Sequence, residues 1–290
     1  MARKIKLYMF NGSAPSMTAR LMLEHKGIDY KPVHLLVGPH AFGLLGRGYV
    51  TMTVPALKID GRRVQGSREI SRALDELAPR APLFGADPER RQAVEQAERW
   101  GEELQDTVRR LLLCASRRDR SAFSSVYRHA NPLMRPAQRV SRGLVIKLAS
   151  AGHRATDRAG EEDVAALPAR LDQIDAWIEQ GLLNGSECNA ADFQIAPNLS
   201  LLMCFEDLAS LVEGRPAARL AQRLAPEFPG EIRAVLPPAW LAPLGAAGRE
   251  APQSGPMGTD DVLRAIGYDE QRIATVLSQA GGPFGRHSHG

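Results

Sequence analysis

Cysteine, lysine and long apolar runs are all scarce in this chain. Only three cysteines occur in 290 residues, Cys114, Cys188 and Cys204. Thiols this far apart and odd in number make neither a disulfide framework nor a cysteine-based metal cluster. They point instead to a reducing, cytoplasmic compartment. No apolar run approaches the roughly 18 residues that suggest a membrane-spanning helix. The opening segment offers only Leu7–Phe10 as an apolar run, short of the core of a secretory signal. Lysines number six against thirty-one arginines, a skew of the kind a GC-rich genome imposes. Basicity is therefore discounted as a sign of nucleic-acid binding. No aromatic-interleaved RNA-binding pattern accompanies it, and no internal repeat is present.

What is there is ordinary globular composition, 44% hydrophobic and 24% charged, in a chain long enough for two domains. Collagen, coiled coil and wholesale disorder are excluded. The net charge of +4 hides an uneven distribution. Residues 109–158 hold twelve Lys or Arg and two Asp, a local +10 that leaves −6 for the rest. Such a run reads first as a solvated helical face. A sharper alternative is that some of its arginines line a cleft and attract an anionic substrate.

Residues 4–78 alternate between strand and helix. Lys4–Phe10 alternates in β-formers and reads as a strand. Asn11-Gly12-Ser13 reads as a turn, and Pro15 suits a first helical turn. Ala19–Lys26 is amphipathic and ends at Gly27. Asp29–Leu36 reads as a second strand, and Gly38–Met52 is glycine-rich and indistinct. Ala56–Ile59 and Arg63–Gln65 flank Asp60-Gly61, a strong hairpin signal. Ser67–Leu77 carries an apolar helical stripe.

After residue 80 the pattern becomes wholly helical. Asp87-Pro88-Glu89 caps a long helix running to about Cys114. The basic segment is helical in parts. Val164–Gln180, Asn189–Phe205 and Arg215–Leu224 read as further helices. Gly245–Gly258 reads as a linker, followed by two short helices and an end, 281–290, that reads as disordered.

A βαβ unit, a Val-Pro, a ββα unit and an all-helical domain together resemble the glutathione transferase superfamily over residues 4–244. Three stretches carry the likeness: Leu7–Ser16, strand to loop to helix; Thr53-Val54-Pro55-Ala56-Leu57 with Gln65–Ile70; and Asn189-Ala190-Ala191-Asp192-Phe193. The resemblance implies a thioredoxin-like α/β domain, 1–80, and an all-helical substrate domain, 87–245. A linker and short tail, 246–290, would follow. It implies a cis Val54–Pro55 bond, where the dipeptide alone reads as an ordinary trans proline opening a strand.

The resemblance also implies a ligand site. Val54 and Pro55 would present backbone to a peptide-like thiol, with Gln65, Gly66 and Ser67 beside it. Ser67, at a helix start, reads as a plain N-cap, and the resemblance implies that the same hydroxyl holds a carboxylate of the thiol. Many family members carry Glu or Gln just before this serine; here Gly66 stands there and Gln65 one place earlier. Ser13 is the candidate catalytic hydroxyl, Ser16 the second choice. A hydroxyl donating to sulfur at a helix N-terminus favours thiolate over thiol. Ser13 reads equally as a turn or N-cap residue. Met9 stands where other classes hold a tyrosine, and Tyr8 points the opposite way along the strand. Asn189-x-x-Asp192 reads as a structural capping box. Leu144, Val145, Ile146 and Leu148 fit an apolar wall for the second substrate.

The implied function is transfer of glutathione, or another low-molecular-weight thiol as co-substrate, to an apolar electrophile in a cytoplasmic homodimer. No metal, redox cofactor, nucleic acid or membrane is called for. The rival is a non-catalytic module that uses the same fold for binding or assembly. The segment Thr259–Glu270 is similar to the closing segment of family III coenzyme A transferases, and no activity is carried over from it.

Overall fold

The computed structural model describes residues 3–247. Residues 1–244 form one compact unit. The two short helices expected in the tail, and the segment similar to coenzyme A transferases, lie outside the described residues, and the first three residues of the expected linker, 245–247, are helical.

The first part is a four-stranded sheet with helices. Strands β1 (Ile5–Met9), β2 (Lys31–His34), β3 (Ala56–Ile59) and β4 (Arg62–Gln65) lie in the order β2-β1-β3-β4. β2 runs parallel to β1, and β3 and β4 pair antiparallel. The alternation of β1 sets the two faces. Ile5, Leu7 and Met9 join Leu57, Ile59 and Val64 under helices α1 (Ala14–His25) and α3 (Ser67–Leu77). Tyr8 points the other way, into a small cluster with Ala56, Leu44 and Tyr49. The Val54–Pro55 bond is cis, as the resemblance implied.

Helix α1 begins at Ala14, five residues before the amphipathic stripe. Ser13 caps it, and its apolar side is set by Met17, Met22 and Leu23. The glycine-rich stretch contains a short helix, α2 (His40–Leu45), which has no periodic signal because only Leu44 of its six residues is buried. The hairpin and α3 fall where the turn and stripe placed them.

The helical part starts with α4 (Pro88–Arg118), capped by Asp87, whose carboxylate accepts from the Arg90 N–H at 2.7 Å. It runs four residues past Cys114. The basic segment forms α5 (Arg120–Val126), a 3-10 turn over Pro132–Met134 and α6 (Arg135–Gly152). Helix α7 (Asp157–Glu179) starts seven residues earlier than its stripe suggested. Thr156 caps it, and Pro168 is accommodated inside it. Then come α8 (Ala190–Met203), α9 (Ala209–Val212), α10 (Pro216–Leu224) and α11 (Pro238–Ala247). The short α9 and the proline-interrupted α11 have no periodic signal either. No described helix is long and apolar enough to cross a membrane.

Helix α8 is the central post. All of Ala190–Leu202 is buried, so it shows no amphipathic side and depends on its cap. Asn189 and Asp192 close a reciprocal capping box. The Asp192 carboxylate also accepts from the Asn184 N–H at 2.7 Å. Burial raises its pKa, against those backbone donors. The two parts are tied by Thr18, which donates to the Phe193 carbonyl at 2.9 Å. They are tied again where Arg72 and Ser71 of α3 meet the buried Glu98 of α4.

Candidate functional site

Strand β1 ends in a loop, Phe10–Gly12, that delivers Ser13 to the start of α1. Ser13 is buried, and its Oγ accepts from the Ser16 N–H at 3.3 Å. That bond uses a lone pair and leaves the hydroxyl proton free to donate. Ser13 lines a cavity of about 210 Å³ with Met9, Met17, Arg20, Glu227 and Pro229. Ser13, Met17 and Arg20 share one side of α1, at i, i+4 and i+7. Sequence reasoning misses Arg20, although that spacing is visible in the chain. Its Nε is buried without a hydrogen bond, and lies 3.5 Å from the Glu24 carboxylate in an i, i+4 ion pair. The serine thus stands at a helix N-terminus in a cavity that also holds one cation, Arg20, and one acid, Glu227. Met9 faces this cavity and Tyr8 does not, as the strand alternation required.

Ser16 is in a different situation. It is fully buried, and its Oγ has no partner.

The helical part packs directly on the loop. Gly12 has φ +74°, and a Cβ there would collide with the Val126 backbone. Asn11 Nδ2 donates to the Arg128 carbonyl at 3.4 Å. Phe10, Val37, Tyr127 and Val145 fill the adjoining space with Phe123 and Ile146. The expected apolar wall is therefore split. Val145 and Ile146 face the α/β part, whereas Leu144 and Leu148 are each 63% exposed. These residues alternate around α6 and cannot all face one cleft.

Five of the twelve cations in the basic run are in ion pairs, Arg158 with Glu162 among them, and Arg117, Arg120, Lys147 and Arg154 line a cavity of about 600 Å³. Arg110 meets Asp163, Arg117 and Arg118 meet Asp157, and Arg109 meets Asp106. Arg118 also lies over the Trp240 ring at 4.8 Å.

The second half of the site surrounds the start of α3. Gln65 is committed: its Oε1 accepts from the Thr51 N–H at 3.0 Å, and its Nε2 donates to the Thr51 and Thr53 carbonyls, both at 2.8 Å. It braces the loop leading into Val54–Pro55 and leaves no amide group for a ligand. Gly66 donates to the Pro55 carbonyl at 3.0 Å. Ser67 is buried at the first position of α3 and is not its N-cap: Gly66 holds that place, and no side chain caps the helix. A Cβ on Gly66 would run into the Glu69 carboxylate. Glu69 thus occupies the volume a side chain at 66 would take, and sequence reasoning misses it too. Its place one turn into α3 is the available signal. The cavity at Ser13 does not include Val54, Pro55 or Ser67.

Burial raises the pKa of all three thiols, that of Cys204 to about 11. Thiols so disposed are poor nucleophiles. Among the described residues no three His, Cys, Asp or Glu side chains converge as metal ligands.

Residues 7–82 match the family model described as "Glutathione S-transferase, N-terminal domain". No curated protein matches the chain by sequence. Among solved structures, glutathione transferase F7 from Populus trichocarpa is 18% identical with a TM-score of 0.54, over 76% of this chain and 93% of that one. A glutathione S-transferase from Methylobacterium radiotolerans, in complex with glutathione sulfonate, is 19% identical with a TM-score of 0.50, over 78% and 95%. FzlA from C. crescentus is 16% identical with a TM-score of 0.50, over 76% and 87%. Residues 7–82 thus match a glutathione S-transferase N-terminal domain model, and the thioredoxin-like α/β part followed by the helical part has the same fold as these solved glutathione transferases.

Proposed function

We propose that this protein transfers glutathione, or another low-molecular-weight thiol, to an apolar electrophile, with the Ser13 hydroxyl stabilising the thiolate. The observation that carries the reading is Ser13 itself: a capping serine on a cavity, with a free hydroxyl proton. The hydroxyl donor and the helix N-terminus favour the charged sulfur, with Arg20 and Glu227 offsetting one another at the cavity wall. Val54, behind its cis bond to Pro55, offers backbone to the peptide part of the thiol. Ser67 and the start of α3 take a carboxylate. Glu69, lying over Gly66, takes the ligand's amino group, and Gln65 holds the loop rather than the ligand. The solved relative with glutathione sulfonate supports the choice of thiol class. No metal or redox cofactor enters the scheme. The free cysteines suit a reducing cytoplasm. The exposed apolar residues Phe42, Val50 and Met52 suit a homodimer.

A second reading is a binding or assembly module without catalysis. It is favoured by two observations: Val126 at the end of α5 packs on the serine loop, and the Ser13 cavity excludes Val54 and Ser67. Calorimetric titration with glutathione and other thiols, paired with a conjugation assay on an apolar electrophile, separates the two. Saturable thiol binding with turnover supports the transferase. A thiol that binds without turnover, or no thiol binding, supports the module.

A further inference from the structure

The face of the sheet turned away from Met9 carries a feature that the thiol site does not use. Lys31 pairs with Lys6, Lys6 with Lys58, and Lys58 with Arg63, each directly opposite across the ladder. These four cations form one row across all four strands, a span of about 14 Å at ~4.8 Å per strand. Tyr8, Val33 and Ala56 lie in the next row on the same face. Half of the chain's six lysines stand in this row. Like charges directly opposite one another destabilise a sheet. None of the four is paired with an acid among the described residues.

One end of the row opens into a cavity of about 460 Å³ lined by Tyr8, Arg47, Gly48, Tyr49, Lys58 and Arg63. Its cations are held in place. The Arg63 Nε donates to the Arg47 carbonyl at 2.7 Å. Gly48 has φ +78°, and a Cβ there would come within 3.2 Å of the Arg63 guanidinium. Arg47 lies over the Tyr8 ring at 5.7 Å. Tyr49 is 4% exposed, yet its hydroxyl has no partner. A buried donor left unmatched in a cavity of unpaired cations is costly unless a ligand completes it.

We propose that this cavity binds a small anion carrying two or more phosphoryl groups. One phosphoryl group sits among Arg47, Lys58, Arg63 and the Tyr49 hydroxyl, and the next lies along the row toward Lys6. The side-chain groups offered are donors, matching an acceptor-only oxyanion. The Tyr49 hydroxyl, buried beneath exposed cations, favours a compact ligand over a flat polyanionic surface that stays on the outer charges. A pyrophosphate unit could be free or part of a nucleotide, and the test separates these sources.

The test is thermal unfolding of the full chain with inorganic pyrophosphate, with ADP, and with sodium sulfate at matched ionic strength. Millimolar pyrophosphate should raise Tm by several degrees, and sulfate should not. An ADP shift equal to or above that of pyrophosphate identifies a nucleotide source; a pyrophosphate shift alone identifies the free anion. Lys58→Gln should melt higher than wild type without ligand, because repulsion is relieved, and should lose the pyrophosphate shift. Tyr49→Phe provides a second variant: unliganded stability is kept or raised, and affinity falls about fivefold, as expected for one neutral hydrogen bond. The proposal is overturned if pyrophosphate has no effect, if sulfate reproduces the shift, or if the shift survives in both variants. Binding to DNA or anionic vesicles without pyrophosphate binding overturns it as well.

Discussion

Ser13 and Ser16 sit one turn apart at the start of α1 and are joined by a single bond, Ser16 N–H to Ser13 Oγ at 3.3 Å. The bond divides their roles. Ser13 faces a cavity with its proton free. Ser16 is walled in, its own hydroxyl unmatched. Because Ser13 is also the cap, Ser13→Ala removes a structural bond costing about 1 kcal/mol, whereas Ser13→Gly costs only a few tenths. The glycine variant is therefore the cleaner probe of chemistry.

Ser16→Ala should stabilise the protein. It deletes a buried hydroxyl that has no partner and installs the best helix former. The gain should be up to about 1 kcal/mol, a rise of about 2–4 °C in Tm for a chain of this size. Thiol binding should be unchanged. Differential scanning calorimetry checks it, and a lower Tm would mean that the hydroxyl has a partner.

Glu98 should be among the costliest residues to truncate. It is 1% exposed, accepts from Ser71 at 2.7 Å and meets Arg72 and Arg68. Burial raises its pKa, while the serine and the two arginines pull it down. Removing it strands the Arg72 guanidinium where α3 meets α4, while Arg68 keeps Glu102 at 3.3 Å. Glu98→Ala should cost about 3–5 kcal/mol. Urea unfolding would reveal it as a lower midpoint, and a loss below about 1 kcal/mol, the range of an exposed pair, would refute the pairing.

Acid should weaken the fold through its histidines. Burial lowers the pKa of His25, His34, His40 and His153. For His40, burial prevails over hydrogen bonds with the Met52 and Gly38 backbone that pull the other way. Below the unfolded value of about 6.5 the unfolded chain takes up protons that the folded chain refuses. Stability is thus full above that pH and falls as pH drops toward the lowered folded values. Tm should decline by several degrees between about pH 7.5 and 5.5, less in His40→Gln. A flat profile would contradict the burial of these rings.

Much of the fold is legible in the residues alone. The hairpin at Asp60-Gly61, the cap of α4 at Asp87 and the Asn189–Asp192 box are short-range signals, and each is where the residues placed it. What the sequence hides depends on distant contacts. Helix α2 buries one residue, so it has no period to detect. Leu144 to Leu148 read as one apolar block, yet the turn of α6 sends them to two sides. Gln65 looks available to a ligand because nothing in the sequence reveals its three bonds to Thr51 and Thr53. The cation row needs the strand register, which links positions up to 57 residues apart, such as Lys6 and Arg63, through Lys58.

The central claim is that Ser13 stabilises a thiolate. The direct measurement is thiolate absorbance of glutathione bound to the protein, followed against pH, in wild type and in Ser13→Gly. The account predicts a bound thiol pKa below the ordinary thiol value of about 8.5. It predicts a rise of about one to two units in the variant, since a hydrogen bond to a charged group contributes roughly 1.5–3 kcal/mol. Turnover at neutral pH should fall about ten- to a hundredfold with it. A curve that is the same in both proteins, or a wild type that binds no thiol, would contradict the account and leave the binding module in its place.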